Sequence, residues 1–311
     1  MVMEAINIVL SIFMMIGLGM LLYHIGWLKS EHEPLLSTLV VRFALPFMII
    51  DNLFSQFTKE GLLSNLVGLL IPWVSLLATW AFGMILARLK NIPKGRRGVF
   101  CCMFTFSNSV FIGVPVSLAL FGNEALPYTL LYYIANTSLF WSLGHAAMCR
   151  DSHQESKLNL KKLLPLPLLV FFASVILILL GIRLPPFVLG ASQYIGRLVT
   201  PLSMLFIGAM LMRMIKSKMI RWESDYFFVL AGRFLVAPAL FLGCSRFIPM
   251  TPLMRNALLI QASMPVMSQT PIVAAAAGAD AEYAAGGIAA TTLGSLLSLP
   301  AYMALIVNFL Q

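Results

Sequence analysis

The chain has 311 residues, of which 60% are hydrophobic and only 11% charged, and its mean hydropathy is +0.91. Soluble domains carry about 25% charged residues, so this composition excludes a soluble fold and leaves a multi-span membrane protein. The net charge of +9 does not point to nucleic acid, because in a membrane protein the placement of charge decides its meaning.

In chain order, ten stretches approach the roughly 20 apolar residues a helix needs to cross a bilayer. They are about 5–26, 35–54, 62–87, 98–122, 126–148, 163–182, 187–212, 224–247, 254–279 and 284–309. None shows the alternation of a membrane β-barrel. The first lacks a basic leading region and a small-residue cleavage site, so it reads as a retained helix. With the N-terminus outside, inside loops collect 14 basic residues (Lys29; Arg88, Lys90, Lys94, Arg96 and Arg97; Arg150, Lys157, Lys161 and Lys162; Arg213, Lys216, Lys218 and Arg221). Outside loops hold 4, namely Lys59, Arg183, Arg246 and Arg255. That asymmetry predicts both termini outside the cytoplasm and a place in the cytoplasmic membrane.

Residues 149–162, CRDSHQESKLNLKK, form the long polar stretch between spans. They divide the chain into residues 1–148, a cytoplasmic linker at 149–162, and residues 163–311. Five spans on each side force the halves to run in opposite directions, an inverted repeat. The fourth span, Phe104–Gly122, and the ninth, Ile260–Gly278, are each interrupted by a proline. Pro115 and Pro271 lie 156 positions apart, as do Gly122 and Gly278. Arg42-x-x-x-Pro46 in the second span is echoed by Arg197-x-x-x-Pro201 in the seventh.

Proline inside a helix removes a backbone hydrogen bond, and a freed backbone group in a bilayer must be buried or wet. Ser107, Asn108, Ser109 and Gly113 precede Pro115, while Gln261, Ser263, Pro265, Ser268, Gln269 and Thr270 precede Pro271. These surroundings predict unwound, polar crossovers. Matched broken helices point to the binding site of a secondary transporter. Proline also suits the first turn of a helix, so a new half-helix is expected to start at Pro115 and at Pro271. Two such N-termini facing each other near mid-membrane would suit an anion, above all a carboxylate. The candidate substrate-binding residues are Asn108, Ser109, Gly113, Pro115, Gln261, Pro265, Ser268, Gln269, Thr270 and Pro271. Asn108 and Gln269 can contact substrate or satisfy freed backbone groups.

Arg233, well inside the eighth span, can pair with a substrate carboxylate or steady a neighbouring helix. Arg42 and Arg197 lie nearer span ends, where they can snorkel, and read as structural. Asp51, Glu124, Asp280 and Glu282 fall near span ends. His145 reads as a hydrogen-bonded packing residue, with a proton relay as the other reading. Asn136, Thr137, Thr291 and Thr292 are expected to bond across helices. Cys101, Cys102, Cys149 and Cys244 show no metal spacing and read as small buried residues.

At the broken helices the chain resembles the auxin efflux carrier family, the PIN-like transporters and malonate or malate permeases. The stretch from Asn108 through Gly113 and Pro115, followed by Leu120 to Leu126, is similar to that family's fourth helix. Met264-Pro265 through Thr270-Pro271 resembles its ninth. The resemblance covers essentially the whole chain. It implies an all-α membrane protein of two inverted five-helix repeats, with helices one, two, six and seven as scaffold and the others as a mobile transport domain. It further implies that helices four and nine cross at Pro115 and Pro271, with Asn108 beside the substrate. The short linker resembles a compact prokaryotic member, and the third span, 62–87, offers no acidic residue as proton carrier.

The expected function is a secondary carrier that moves a small organic anion by alternating access, with the bilayer as surroundings and a proton or sodium ion as the coupling partner still open. A homodimer is open as well; no cofactor, metal or nucleic acid is expected. A sodium symporter of the bile-acid type would need carboxylates near the crossover, for which Glu124 and Asp280 are the nearby candidates. An intramembrane enzyme would need a zinc motif, paired aspartates or a Ser-His pair, and HExxH is absent. A channel would show charged rings or filter repeats.

Overall fold

The computed structural model describes residues 2–56, 70–152, 166–217 and 223–309. These residues form helices: α1 Val2–His24, α2 30–56, α3 Leu70–Leu89, α4 Arg97–Thr105, α5 Ser109–Phe121 and α6 126–151. After the central segment come α7 Leu166–Leu179, α8 Pro186–Lys216, α9 Tyr226–Ser245, α10 Pro252–Ala262, α11 Thr270–Ala276 and α12 Ala281–Phe309. Five of the described helices, α2, α3, α8, α9 and α12, are long and apolar enough to cross a membrane. Stretches of α1, α5 and α7 form shorter apolar helices.

The expected boundaries shift in places. α2 begins at Ser30 and not near residue 35. The start of the third expected span falls on residues 57–69, outside the described residues, as does most of the linker at 149–162. Where the linker was expected to begin, α6 continues to Asp151. Its carboxylate accepts hydrogen bonds from the Gly98 and Val99 amides, 2.7 and 3.3 Å away. Those amides belong to the first turn of α4, which has no intrahelical acceptors for them. One helix end is therefore capped by another, and that need draws α6 one turn further.

Gly122 and Gly278, matched in sequence, follow the ends of α5 and α11. Both adopt positive φ, 71° and 70°, a region where a Cβ is strained and glycine is not.

The helices pack in two groups. In one, α1 lies along α8, and α2 packs on α7 and α8. Small residues let these backbones nearly touch. A Cβ on Gly19 would lie 2.6 Å from the Leu205 carbonyl, and one on Gly196 would lie 2.8 Å from the Met48 Cα. Close backbone approach over small residues is how helices associate where lipid removes the hydrophobic drive between them. In the other group, α4 sits between α3 and α6, α9 covers α3, α10 packs on α6 and α9, and α12 packs on α11, α9 and α4. α5 touches α1 and α8, joining the groups.

Candidate functional site

Both broken helices lose their regular ladder in the interior. α4 stops at Thr105 and α5 begins at Ser109; α10 stops at Ala262 and α11 begins at Thr270. The two connecting segments lie against each other as an antiparallel bridge between Ser107 and Val266. The Asn108 amide donates to the Pro265 carbonyl at 2.8 Å, and the Met267 amide to the Phe106 carbonyl at 3.1 Å.

Buried backbone groups outside a helix need partners, and side chains supply them. Asn136 Oδ1 accepts from the Ser107 amide at 2.9 Å while its Nδ2 donates to the Ser107 carbonyl at 3.0 Å. Thr291 Oγ1 accepts from the Val266 amide at 3.2 Å. These are cross-helix bonds of the kind the sequence suggested for both residues, and their targets are the breaks themselves.

Arg233 is 0% exposed and points between the two helix ends. It donates to the Thr105 carbonyl (2.6 Å), the Ala262 and Met264 carbonyls (2.8 Å each) and Ser107 Oγ (2.5 Å). Thr105 and Ala262 end α4 and α10, where orphan carbonyls carry the negative end of each helix dipole. The guanidinium thus neutralises two helix C-termini at once. Of its two readings, the structure displays the helix-steadying contacts, and all three nitrogens are taken by protein oxygens.

Several helices widen beside this centre. π-helical turns occur at Leu39–Ala44 in α2, Ser109–Gly113 in α5, Phe140–Gly144 in α6 and Gly232–Val236 in α9. Three of them end two residues before a proline: Pro46, Pro115 and Pro238. A proline has no N–H for the carbonyl four residues back, and a wide turn absorbs the mismatch. The orphaned Phe234 carbonyl, four residues before Pro238, takes its bond from the Tyr302 hydroxyl instead. This corrects the expected start of the first half-helix. It begins at Ser109, six residues before Pro115, because the ring conflict is absorbed within the π turn. The second half-helix begins at Thr270, next to Pro271, as expected.

A cavity of about 440 Å³ opens against the paired segments. Ser107 to Phe111 and Met267 to Gln269 form one wall, and Tyr133, Thr137 and Trp141 of α6 form another. Val41 and Arg42 of α2 and the start of α7 complete it. Of the ten residues proposed from sequence, Asn108, Ser109, Ser268 and Gln269 line this cavity. Asn108 and Ser268 are 2% and 3% exposed, and Asn108 Nδ2 and Ser268 Oγ have no partner among the described residues. Unpaired buried polar atoms are costly, and these two belong to residues of the cavity wall.

The other six sit behind that wall. A Cβ on Gly113 would collide with the Gln261 amide, and Gln261 Nε2 donates to Ser117 Oγ at 3.0 Å. Gly113 and Gln261 thus seat α5 against α10. Pro265 supplies the carbonyl for Asn108, and Thr270 Oγ1 donates to the Met267 carbonyl at 2.7 Å. Pro271 occupies the first turn of α11, and Pro115 opens the regular α part of α5, after its π turn.

Arg42, read from the sequence as a snorkelling structural residue near a span end, lines the cavity and lies midway between Ser30 and Ser55 in a helix that starts earlier than expected. The available signal was a charge in mid-span followed four residues later by proline. Asp280, a candidate sodium ligand in the sequence, is committed elsewhere. Arg96 Nε donates to it at 2.7 Å, and it caps α12 by accepting from the Tyr283 amide at 2.9 Å. Burial opposes the charge on Arg96, but Asp280 and Glu223 outweigh it and raise its pKa.

A family model described as "Membrane transport protein" matches residues 4–165 and 155–303. The chain is similar to an uncharacterized transporter of Methanocaldococcus jannaschii, at 26% identity over 97% of this chain and 99% of the relative. It is also similar to an uncharacterized transporter of Methanothermobacter thermautotrophicus, at 28% identity over 94% and 95% of the two chains. With a polar cavity set among apolar helices and the family match spanning nearly its whole length, this chain belongs to the membrane transport protein family, the auxin efflux carrier-like transporters, and is a multi-pass membrane transporter.

Proposed function

We propose that this protein is a secondary carrier for a small organic anion, most simply a carboxylate, working by alternating access across the cytoplasmic membrane. The observation that carries the reading is the cavity at the paired helix breaks, walled by unpartnered polar atoms of Asn108 and Ser268. Broken helices that meet at a cavity are the usual setting of a transporter's substrate site. In this reading residues 1–148 and 163–311 are inverted five-span repeats joined by the linker at 149–162, and the spans broken at 106–108 and 263–269 cross each other. Asn108, Ser109, Ser268 and Gln269 touch the substrate. Gly113, Pro115, Gln261, Pro265, Thr270 and Pro271 shape the crossing, and Arg233 pins it. The 14-to-4 basic asymmetry supports termini outside the cytoplasm.

The test is thermal stability of purified protein against malonate, malate, succinate, lactate and indole acetate, with sodium and pH varied. A ligand bound only by the folded state raises the melting temperature by mass action. One acid should raise it, and Asn108→Ala should abolish that shift while the apo protein melts normally. A full shift retained in Asn108→Ala would sink the site assignment, and no shift with any acid would sink the carboxylate reading.

A further inference from the structure

We infer that Arg42 is the anion-pairing residue of the cavity, a fixed cation held by the α1, α2, α7 and α8 group and facing the polar wall of the paired breaks. This deepens the carrier reading above and rests on it for the identity of the cargo.

Arg42 and Arg233 make opposite use of the same side chain. Arg233 is wholly buried and saturated with protein oxygens. Arg42 makes no hydrogen bond, ion pair or ring contact with any described residue, and it lines the cavity. Among the described residues that line the cavity none is acidic, so none of them neutralises the guanidinium. An arginine at the centre of a span is costly even on the mildest scale. Such a charge persists in a helix interior where it faces water and a ligand of opposite sign.

The backbone presents it there. Arg42 lies within the π turn Leu39–Ala44, which Pro46 opens. A π turn carries one more residue than an α turn, and such turns gather at functional sites. The same cavity is lined by Asn108 and Ser268, whose amide nitrogen and hydroxyl have no partner among the described residues. A carboxylate between them would take a two-pronged bond from the guanidinium on one side and neutral hydrogen bonds on the other. The anion would therefore touch both helix groups at once. A neutral cargo of the same shape would leave the arginine uncompensated. Arg197, the sequence echo of Arg42, is not among the residues that line the cavity.

Two measurements test the assignment, with Arg42→Gln, Arg42→Lys and, as a control for net charge away from the cavity, Arg183→Gln. The first uses whichever of the five acids stabilises wild type, titrated beside its own amide. Arg42→Gln should raise the acid concentration needed for half the shift by about tenfold or more, leave the amide response unchanged, and be partly rescued by lysine; Arg183→Gln should match wild type. The second needs no substrate. Trp141 lines the same cavity, so iodide should quench its fluorescence, defined as the signal lost in Trp141→Phe, more strongly than acrylamide does relative to free indole. Arg42→Gln should remove the iodide excess and spare acrylamide quenching. Unchanged iodide quenching in Arg42→Gln, or an unchanged acid titration, overturns the assignment. If no acid shifts wild type yet the iodide excess depends on Arg42, the carboxylate reading fails and the anion-pairing role of Arg42 stands.

Discussion

Asn136 holds the first helix break open by satisfying both backbone groups of a single residue, Ser107. Its fully buried amide replaces the two hydrogen bonds a continuous helix would have supplied. Asn136→Ala would leave a buried N–H and a buried C=O without partners, at about 1–3 kcal/mol each. We expect a clear loss of melting temperature in detergent for Asn136→Ala, and a smaller one for Thr291→Ala, which frees one amide. Equal effects would mean that the two breaks do not depend on these side chains as described. A polar residue in an apolar span is legible in sequence; that Asn136 serves Ser107, 29 positions away, is not, because the partner is chosen by how the helices pack.

Elements in this protein end where another element can accept their orphan groups. α4 has Arg97, Gly98 and Val99 at its start and no side-chain cap of its own. Asp151, from the end of α6, takes that role. Burial pushes the Asp151 carboxyl from 3.8 up to about 6, although the Gly98 and Val99 amides and Arg97 favour its charged form. The folded state thus binds this proton more tightly than the unfolded chain does. Its contribution to stability is complete below about 3.8 and is lost as pH rises through about 6. The melting temperature of wild type minus that of Asp151→Asn should therefore fall across that window and level off above it. A signed difference that rises with pH would show that the amides outweigh burial. The proline-linked π turns belong to this scale too. Pro46, Pro115 and Pro238 announce a disturbance in the sequence, whereas Pro201 is followed back to a simple turn at Arg197–Leu198. The proline alone does not decide between the two outcomes, because both relieve the same missing bond.

At the scale of the whole molecule, two helix groups meet at a cavity, and the rigidity of the first group decides whether Arg42 can act as a fixed charge. α1 and α8 approach so closely that a Cβ on Gly208 would collide with the Ile16 carbonyl. Overpacking of this kind costs about 1–3 kcal/mol, and backbone cannot yield as a side chain can. Gly208→Val should lower the melting temperature and broaden ligand titrations, while Gly17→Val, at a position open to 4 Å in every direction, should leave both unchanged. Comparable losses in the two variants would argue that α1 and α8 are not locked together at Gly19 and Gly208.

Composition by itself determined that the chain lives in a membrane, and the matched prolines, glycines and hydroxyls at 104–122 and 260–278 determined where its polar centre lies. Those inferences rest on short-range physics: apolar length, the missing proline N–H and the backbone freedom of glycine act within a few residues and can be read along the chain. Tertiary structure alone decided which candidates face the cavity and which stand behind it. Asn108 and Gln269 reach the cavity while Gly113 and Gln261 pack against each other, although all four looked alike in sequence. It also separated two arginines: of the two roles the sequence left open for Arg233 it displays the contacts to helix-end carbonyls, and it sets Arg42, read as structural, at the cavity. A charge in a bilayer is defined by its partners, and partners drawn from helices more than a hundred residues apart exist only once the chain has folded.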